Sequence, residues 1–349
     1  MIKMEYSLTD RKEIEKAFLW LNKYWNKPNQ PLYYNARTLD EALSLLEGYG
    51  EEAKIIAGGI DLVGLMKSKV ISPRVLVNIK GIQSMNDISE KMGGVDIGAL
   101  TVLHDIERSA LIKRNYSLLS EVAQSVGSPQ VRNMATLGGN LCQEVRCWYY
   151  RRSPLTGISF TCRRKKEGNV CYAINGENGD HAIFGESECF AVCPSDMATG
   201  LLALDAEINT VSTRGRRNIP IGKFYTSLGH ILKPDEIITH IHLPKAKPIT
   251  KHRYQKFRLR KAIDFSIVSV CSVITLADHI VHDAKIVVGG VSSMPYEAVK
   301  AEEILMGESL TENLAEKAAE ASVSDAIPLS KNGFKVLLVK KLVKRSLLE

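Results

Sequence analysis

Cysteine is almost absent from most of this chain: Cys271 alone stands apart, and the other six lie between Cys142 and Cys193. No apolar run is long enough to cross a bilayer, which excludes a helical membrane protein. The start, MIKMEYSLTDRKEIEKAF, lacks the continuous apolar stretch of a signal peptide, so a cytoplasmic location is expected. Aromatic residues make up only 7%, and the two basic clusters, Arg163 to Lys166 and Lys340 to Arg345, are not interleaved with them. With a net charge of +7, this argues against nucleic-acid binding and leaves both clusters as solvated faces. The chain has no internal repeats and no GxGxxG turn, so the dinucleotide fingerprint of a Rossmann domain is missing.

What is present fits an ordinary globular protein of more than one core: 349 residues, 45% hydrophobic and 24% charged. Residues 1–30 form a helical extension that ends in NKPNQP. Thr38 to Glu41 has the capping-box pattern, with Thr38 as N-cap and Glu41 reaching back to it, so a helix with Leu39, Ala42, Leu45 and Leu46 on one face should follow. Strands are expected at Lys54 to Ala57, Val75 to Ile79, Val95 to Ala99, Glu207 to Val211, Ser266 to Leu276 and Ala284 to Val288. Helices are expected at Ser117 to Val126, Ala298 to Met306, Leu314 to Val323 and Phe334 to Leu348, and LPKAKPITK reads as a linker. Short strands mixed with helices, without a βαβ rhythm, predict an α+β fold.

Two glycine turns stand out. In IIAGGIDL (Ile55 to Leu62) a strand runs into paired glycines, whose amides can form an anion nest for a pyrophosphate. In TLGGN, Thr136 and Asn140 add side-chain donors beside Gly138 and Gly139. Either turn alone reads better as a plain tight turn, and only the pair suggests a phosphate cradle. Residues 143–193 are rich in Cys, Arg, Gly and Asn and have little periodicity. An irregular segment of that length inside a compact chain calls for an internal organiser such as a metal.

AGGIDLVGLMK, IGALTVLHDIE, VRNMATLGGNL, PSDMATGLLALDAEI and LKPDEIITHIHLP occur in the order of the FAD-binding subunits of molybdenum hydroxylases, which the chain resembles from about residue 30 to its end. That family includes xanthine dehydrogenases, carbon monoxide dehydrogenases and 4-hydroxybenzoyl-CoA reductases. The resemblance implies a two-part FAD domain of the vanillyl-alcohol oxidase type (PCMH) over 31–245 and a small C-terminal α+β domain over 246–349. Ile56, Ala57, Gly58, Gly59, Ile60, Asp61 and Leu62 would wrap the FAD pyrophosphate. Ile60 departs from the family pattern, in which a polar side chain often stands there. Thr136, Gly139 and Asn140 would make the second phosphate and ribityl contact, Ser195 and Asp196 the ribityl or flavin contact, and Leu232 would pack on the isoalloxazine. Lys256 would sit at the flavin carbonyl edge, where a cation favours the anionic reduced ring. Taken by themselves, Asp196 reads as a helix N-cap and Lys256 as a surface charge.

Most family members pass almost directly from GGNL to the PSD turn. The insertion here, with RCWYYR, CRRKKEGNVCYAINGEN and HAIFG, resembles that of 4-hydroxybenzoyl-CoA reductase, which carries a [4Fe-4S] cluster. The implied ligands are Cys147, Cys162, Cys171 and Cys189, with Arg146, Arg163 and Arg164 offsetting the cluster charge. Their spacing alone does not choose these four over a zinc site with four cysteine ligands. Cys193 stands where cluster-bearing relatives often have His and competes with Cys189 in sequence, while Cys142 and Cys271 read as packing residues. The resemblance implies an electron-transfer flavoprotein, partnered by a large molybdopterin subunit and a small subunit with two [2Fe-2S] clusters, and exchanging electrons with an outside carrier, ferredoxin or NAD. Two other readings stay open: a flavin subunit that reduces NAD with a zinc-stabilised loop, and a scaffold without redox activity.

Overall fold

The computed structural model describes residues 30–158, 160–185, 188–247 and 251–349. The helical extension expected over 1–30 therefore lies almost wholly outside the described residues. The first layer is a parallel sheet of β1 (Leu32–Asn35), β2 (Ala53–Ile56) and β3 (Val75–Asn78), in the order β1-β3-β2. Thr38 caps the helix Leu39–Tyr49 by accepting from Glu41 N. The Glu41 carboxylate reaches one residue further back than the capping box predicts, to Arg37 N at 2.7 Å. The Thr38 hydroxyl already serves the first turn, so the carboxylate satisfies the amide just outside it.

The second layer is antiparallel. Strands β4 (Ile88–Lys91), β5 (Gly94–Gly98), β6 (Glu207–Ser212) and β7 (Gly215–Pro220), with β10 (Ile237–Pro244) following the hairpin of β8 (Tyr225–Thr226) and β9 (Gly229–His230), form a five-stranded sheet ordered β4-β5-β10-β6-β7. The helix Asp196–Ala203 is buried throughout. One continuous core joins both layers, from Tyr34 and Leu46 through Ile97 and Leu119 to Phe224 and Ile241.

A separate core belongs to the C-terminal part. There β11 (Lys251–Phe257), β12 (Val268–Ala277), β13 (Ile280–Gly289) and β14 (Tyr296–Glu297) form an antiparallel sheet in chain order, packed by three helices that end with Phe334–Leu348. The stretch read as a linker lies between two strands: β10 ends at Pro244, residues 245–247 have no regular structure, and β11 begins at Lys251. The mixed, segregated layers make this an α+β fold.

Glu302 in this core is half-buried, and its Oε1 accepts from Ile286 N at 2.7 Å. Burial pushes its carboxyl up to about 7, with the Ile286 amide opposing. A folded value above the ordinary 4.5 means that folding favours the protonated form. That stabilisation is complete below the ordinary value and is lost as pH rises through about 7. Glu302→Gln keeps the acceptor and removes the titration. In urea unfolding, the stability difference should open in favour of the variant between about pH 5 and about pH 8; a constant difference would refute this assignment.

Candidate functional site

The parallel sheet ends at Ile56, and the chain leaves its carboxyl edge through Ala57-Gly58-Gly59, where open α/β sheets place their ligands. Gly58 has no room for a side chain: a Cβ there would lie 1.9 Å from the Met134 carbonyl oxygen. This near-contact brings the first turn against the second. In the second turn Thr136 caps the short helix Leu137–Leu141 by accepting from Gly139 N, and Gly138 N donates to Ala99 O at 2.9 Å. Ser195 then joins the second turn to the third. Its hydroxyl donates to Asn140 Oδ1 at 2.7 Å and accepts from Ala198 N at 3.0 Å, so Ser195, not Asp196, is the N-cap of Asp196–Ala203.

These turns line one cleft of about 1060 Å³. Every residue from Ile56 to Leu62 lines it, with Thr136, Gly139, Asn140, Asp196, Leu232 and Lys256. Ser195 stands behind the wall. Lys256 reaches the cleft from β11, its Nζ 2.7 Å from Asp196 Oδ2 and 3.2 Å from Ser125 O. Its side chain is only 5% exposed, which removes the surface-charge reading. Its charge is matched by a carboxylate, so it is not a lone cation. Asp196 Oδ1 is buried without a partner among the described residues.

Asp61 carries the cleft into the cysteine insertion. Its Oδ1 takes Arg146 and Arg151, each at 2.7 Å, and its Oδ2 accepts from Glu144 N at 2.8 Å. The Arg146 guanidinium also stacks over the Phe265 ring, 4.4 Å from its centroid. Burial pulls Arg146 down to about 10, with Asp61 opposing, so it stays charged at neutral pH.

Among the described residues of the insertion, regular structure is confined to Trp148–Arg151 and two single 3-10 turns. Cys147, Cys162 and Cys189 pack against one small apolar group, Leu65, Val145, Tyr150 and Ala191. Cys171 is close enough for its charge to act on Cys147. The Arg164 guanidinium is bonded to Glu144 and Ser227 O and lies near enough to Cys189 for their charges to interact. Among the described residues, no three His, Cys, Asp or Glu side chains form a group that could hold a single metal ion.

The other cysteines are set apart. Cys193 is buried in the main core, away from the group around Cys189, and burial pushes its thiol up to about 11. Cys142 lines the cleft, its thiol pushed up to about 12 by burial. Cys271 is a fully buried core residue.

Several members of the site escape a reading of the sequence. Arg151 and Phe265 belong to the Asp61 and Arg146 contacts. His181 Nε2 lies 3.4 Å from Cys147 Sγ, and its only sequence signal is its place in HAIFG.

Known proteins share this architecture. The structure superposes on carbon monoxide dehydrogenase of Hydrogenophaga pseudoflava with a TM-score of 0.74 at 23% identity, covering 92% of this chain and 97% of the other. The model of the FAD binding domain in molybdopterin dehydrogenase matches residues 26–246, and that of the CO dehydrogenase flavoprotein C-terminal domain matches 252–349. The aldehyde oxidoreductase FAD-binding subunit PaoB of Escherichia coli is 33% identical over 83% of this chain and 88% of its own length. The glyceraldehyde dehydrogenase medium chain of Sulfolobus acidocaldarius is 28% identical over 87% and 90%. The matched family models and the relatives together define a flavoprotein. The chain belongs to the FAD-binding subunits of the molybdopterin-dependent dehydrogenases, the molybdenum hydroxylase family, and is a subunit of an oxidoreductase. No helix among the described residues is long and apolar enough to cross a membrane.

Proposed function

We propose that this chain is the electron-transfer subunit of a three-subunit molybdenum hydroxylase, relaying electrons between a small [2Fe-2S] subunit and an external carrier through FAD and a [4Fe-4S] cluster. The observation that carries the reading is Asp61. One carboxylate belongs to the glycine turn of the cleft and also anchors Arg146 and Arg151, which flank Cys147 in sequence. A flavin site and a thiol-rich site therefore share a wall.

The cleft fits FAD on its own chemistry. The Gly58 and Gly59 turn lets main-chain amides approach a pyrophosphate closely. The unpaired Asp196 Oδ1 is an acceptor that a ribityl hydroxyl would satisfy. Thr136, Gly139 and Asn140 would hold the second phosphate contact, Ser195 would orient Asn140, and Leu232 would cover the ring. Lys256 would fix Asp196 and place positive charge beside the carbonyl edge. Bound FAD supplies the conversion between one- and two-electron chemistry.

The insertion fits an iron–sulfur cube. Soft thiolates suit iron, and each cysteine of a cube binds its own iron, so thiols gathered around one small space serve where convergence on a point is not required. Cys147, Cys162, Cys171 and Cys189 would be the ligands, while Arg164 would supply positive charge beside Cys189. The insertion resembles that of 4-hydroxybenzoyl-CoA reductase, and a ferredoxin is the carrier that such a cluster suits. The organic substrate would be handled at molybdenum in a separate large subunit, and a cytoplasmic setting would keep the thiols reduced.

The test is iron, acid-labile sulfide and flavin per chain, on protein purified without oxygen. About four irons and four sulfides with one FAD are expected. Zinc with FAD and no sulfide would end the relay reading in favour of a flavin subunit that reduces NAD. Absence of FAD would leave only a scaffold.

A further inference from the structure

Lys335 is a buried ammonium whose hydrogen-bond partners are all main-chain carbonyls. It stands at the start of Phe334–Leu348, 1% exposed, and donates to Asp180 O at 2.9 Å, His181 O at 3.0 Å and Gly290 O at 2.8 Å. Burying a cation on neutral acceptors is costly, so the position calls for a compensating role. Beside it, buried Asn332 donates from Nδ2 to His181 O at 3.1 Å and to Ala182 O at 3.0 Å. The His181 carbonyl is thus gripped twice from the C-terminal part of the chain. Held that way, the buried His181 ring has Nε2 3.4 Å from Cys147 Sγ and stands 6.2 Å, centroid to centroid, from the Tyr149 ring.

We infer that His181 is a hydrogen-bond donor to the Cys147 sulfur that sets the reduction potential of the cysteine-held cluster, and that Lys335 and Asn332 are the positioning residues that keep it there. The inference rests on the cluster reading above. An N–H donor draws electron density from a ligating sulfur and favours the reduced, more negative centre, which raises its potential. The buried Lys335 charge acts in the same direction through a medium that screens poorly. The C-terminal core would thereby tune a centre to which it contributes no ligand.

The experiment is a potentiometric titration of the full complex, purified without oxygen, following the reduced cluster by electron paramagnetic resonance and the flavin by absorbance. His181→Phe keeps a planar ring and removes the donor. It should shift the cluster about tenfold toward its oxidised form at fixed potential, ~59 mV more negative, while the flavin midpoint stays put. His181→Gln, which retains an N–H of similar reach, should restore most of the shift. Lys335→Met should move the cluster the same way with iron content intact. An unshifted cluster in both His181→Phe and Lys335→Met overturns the inference and spares the cluster. If His181→Phe loses its iron, an unshifted potential in Lys335→Met decides against the inference in the same way. An unaltered chain that binds no iron overturns both.

Discussion

Replacing Lys256 with methionine is expected to destabilise the protein by about 3–5 kcal/mol, the effect of leaving one member of a buried ion pair alone. The pair joins β11 of the C-terminal sheet to the helix Asp196–Ala203, with side chains 5% and 3% exposed. Asp196 already has one oxygen without a hydrogen bond, and losing Lys256 removes the cation paired with the other. Adding Asp196→Asn removes the stranded charge, so the double variant should return to within about 1–2 kcal/mol of the parent. Urea unfolding of flavin-free protein, followed by two probes, makes the comparison. Single and double variants with the same midpoint would show that the pair is not what the two parts of the chain depend on. A retained flavin content in Lys256→Met would separate stability from cofactor binding.

Gly58→Ala should weaken flavin binding markedly. The added methyl would collide with the Met134 carbonyl, a main-chain atom with no rotamer to give way, so the two glycine turns must part. Overpacking of this kind costs about 1–3 kcal/mol, which is roughly a ten- to hundredfold loss in affinity if it falls on the bound state. Gly64→Ala is the control: it lies in the helix Leu62–Lys67, lines no part of the cleft, and its Cβ would meet nothing within 4 Å. That variant should keep its FAD and gain up to about 1 kcal/mol of helix propensity. Equilibrium titration with FAD reads both, and equal affinities for Gly58→Ala and the parent would refute the close-approach argument.

Local chemistry was legible in the sequence and long-range pairing was not. The glycine turns, the Ser195 region and the helix Phe334–Leu348 were readable because backbone need and apolar spacing are written in neighbouring residues. β10 and β11 were obscured because LPKAKPITK carries prolines, and because KHRYQKF is only half-buried along its length and shows no clean alternation. Lys256 looked like a surface charge for the same reason. Asp61 with Arg146, and Lys335 with the His181 carbonyl, join residues 85 and 154 positions apart. A pattern of period two or four holds no record of such partners. The separation of Cys193 from Cys189 was equally invisible, since four residues of sequence span the border between the main core and the insertion.

The Asp61 arrangement bears on how such a subunit could arise. A cysteine loop fastened only at its own two ends could be moved between hosts as a cassette. Here the loop borrows its anchor from the glycine turn that lines the cleft, and that turn gives up its carboxylate to two arginines of the loop. Removing the loop would leave Asp61 at the cleft without the two arginines that now balance its charge. In this chain, then, a change at Asp61 would be felt in the glycine turn and in the cysteine loop at once.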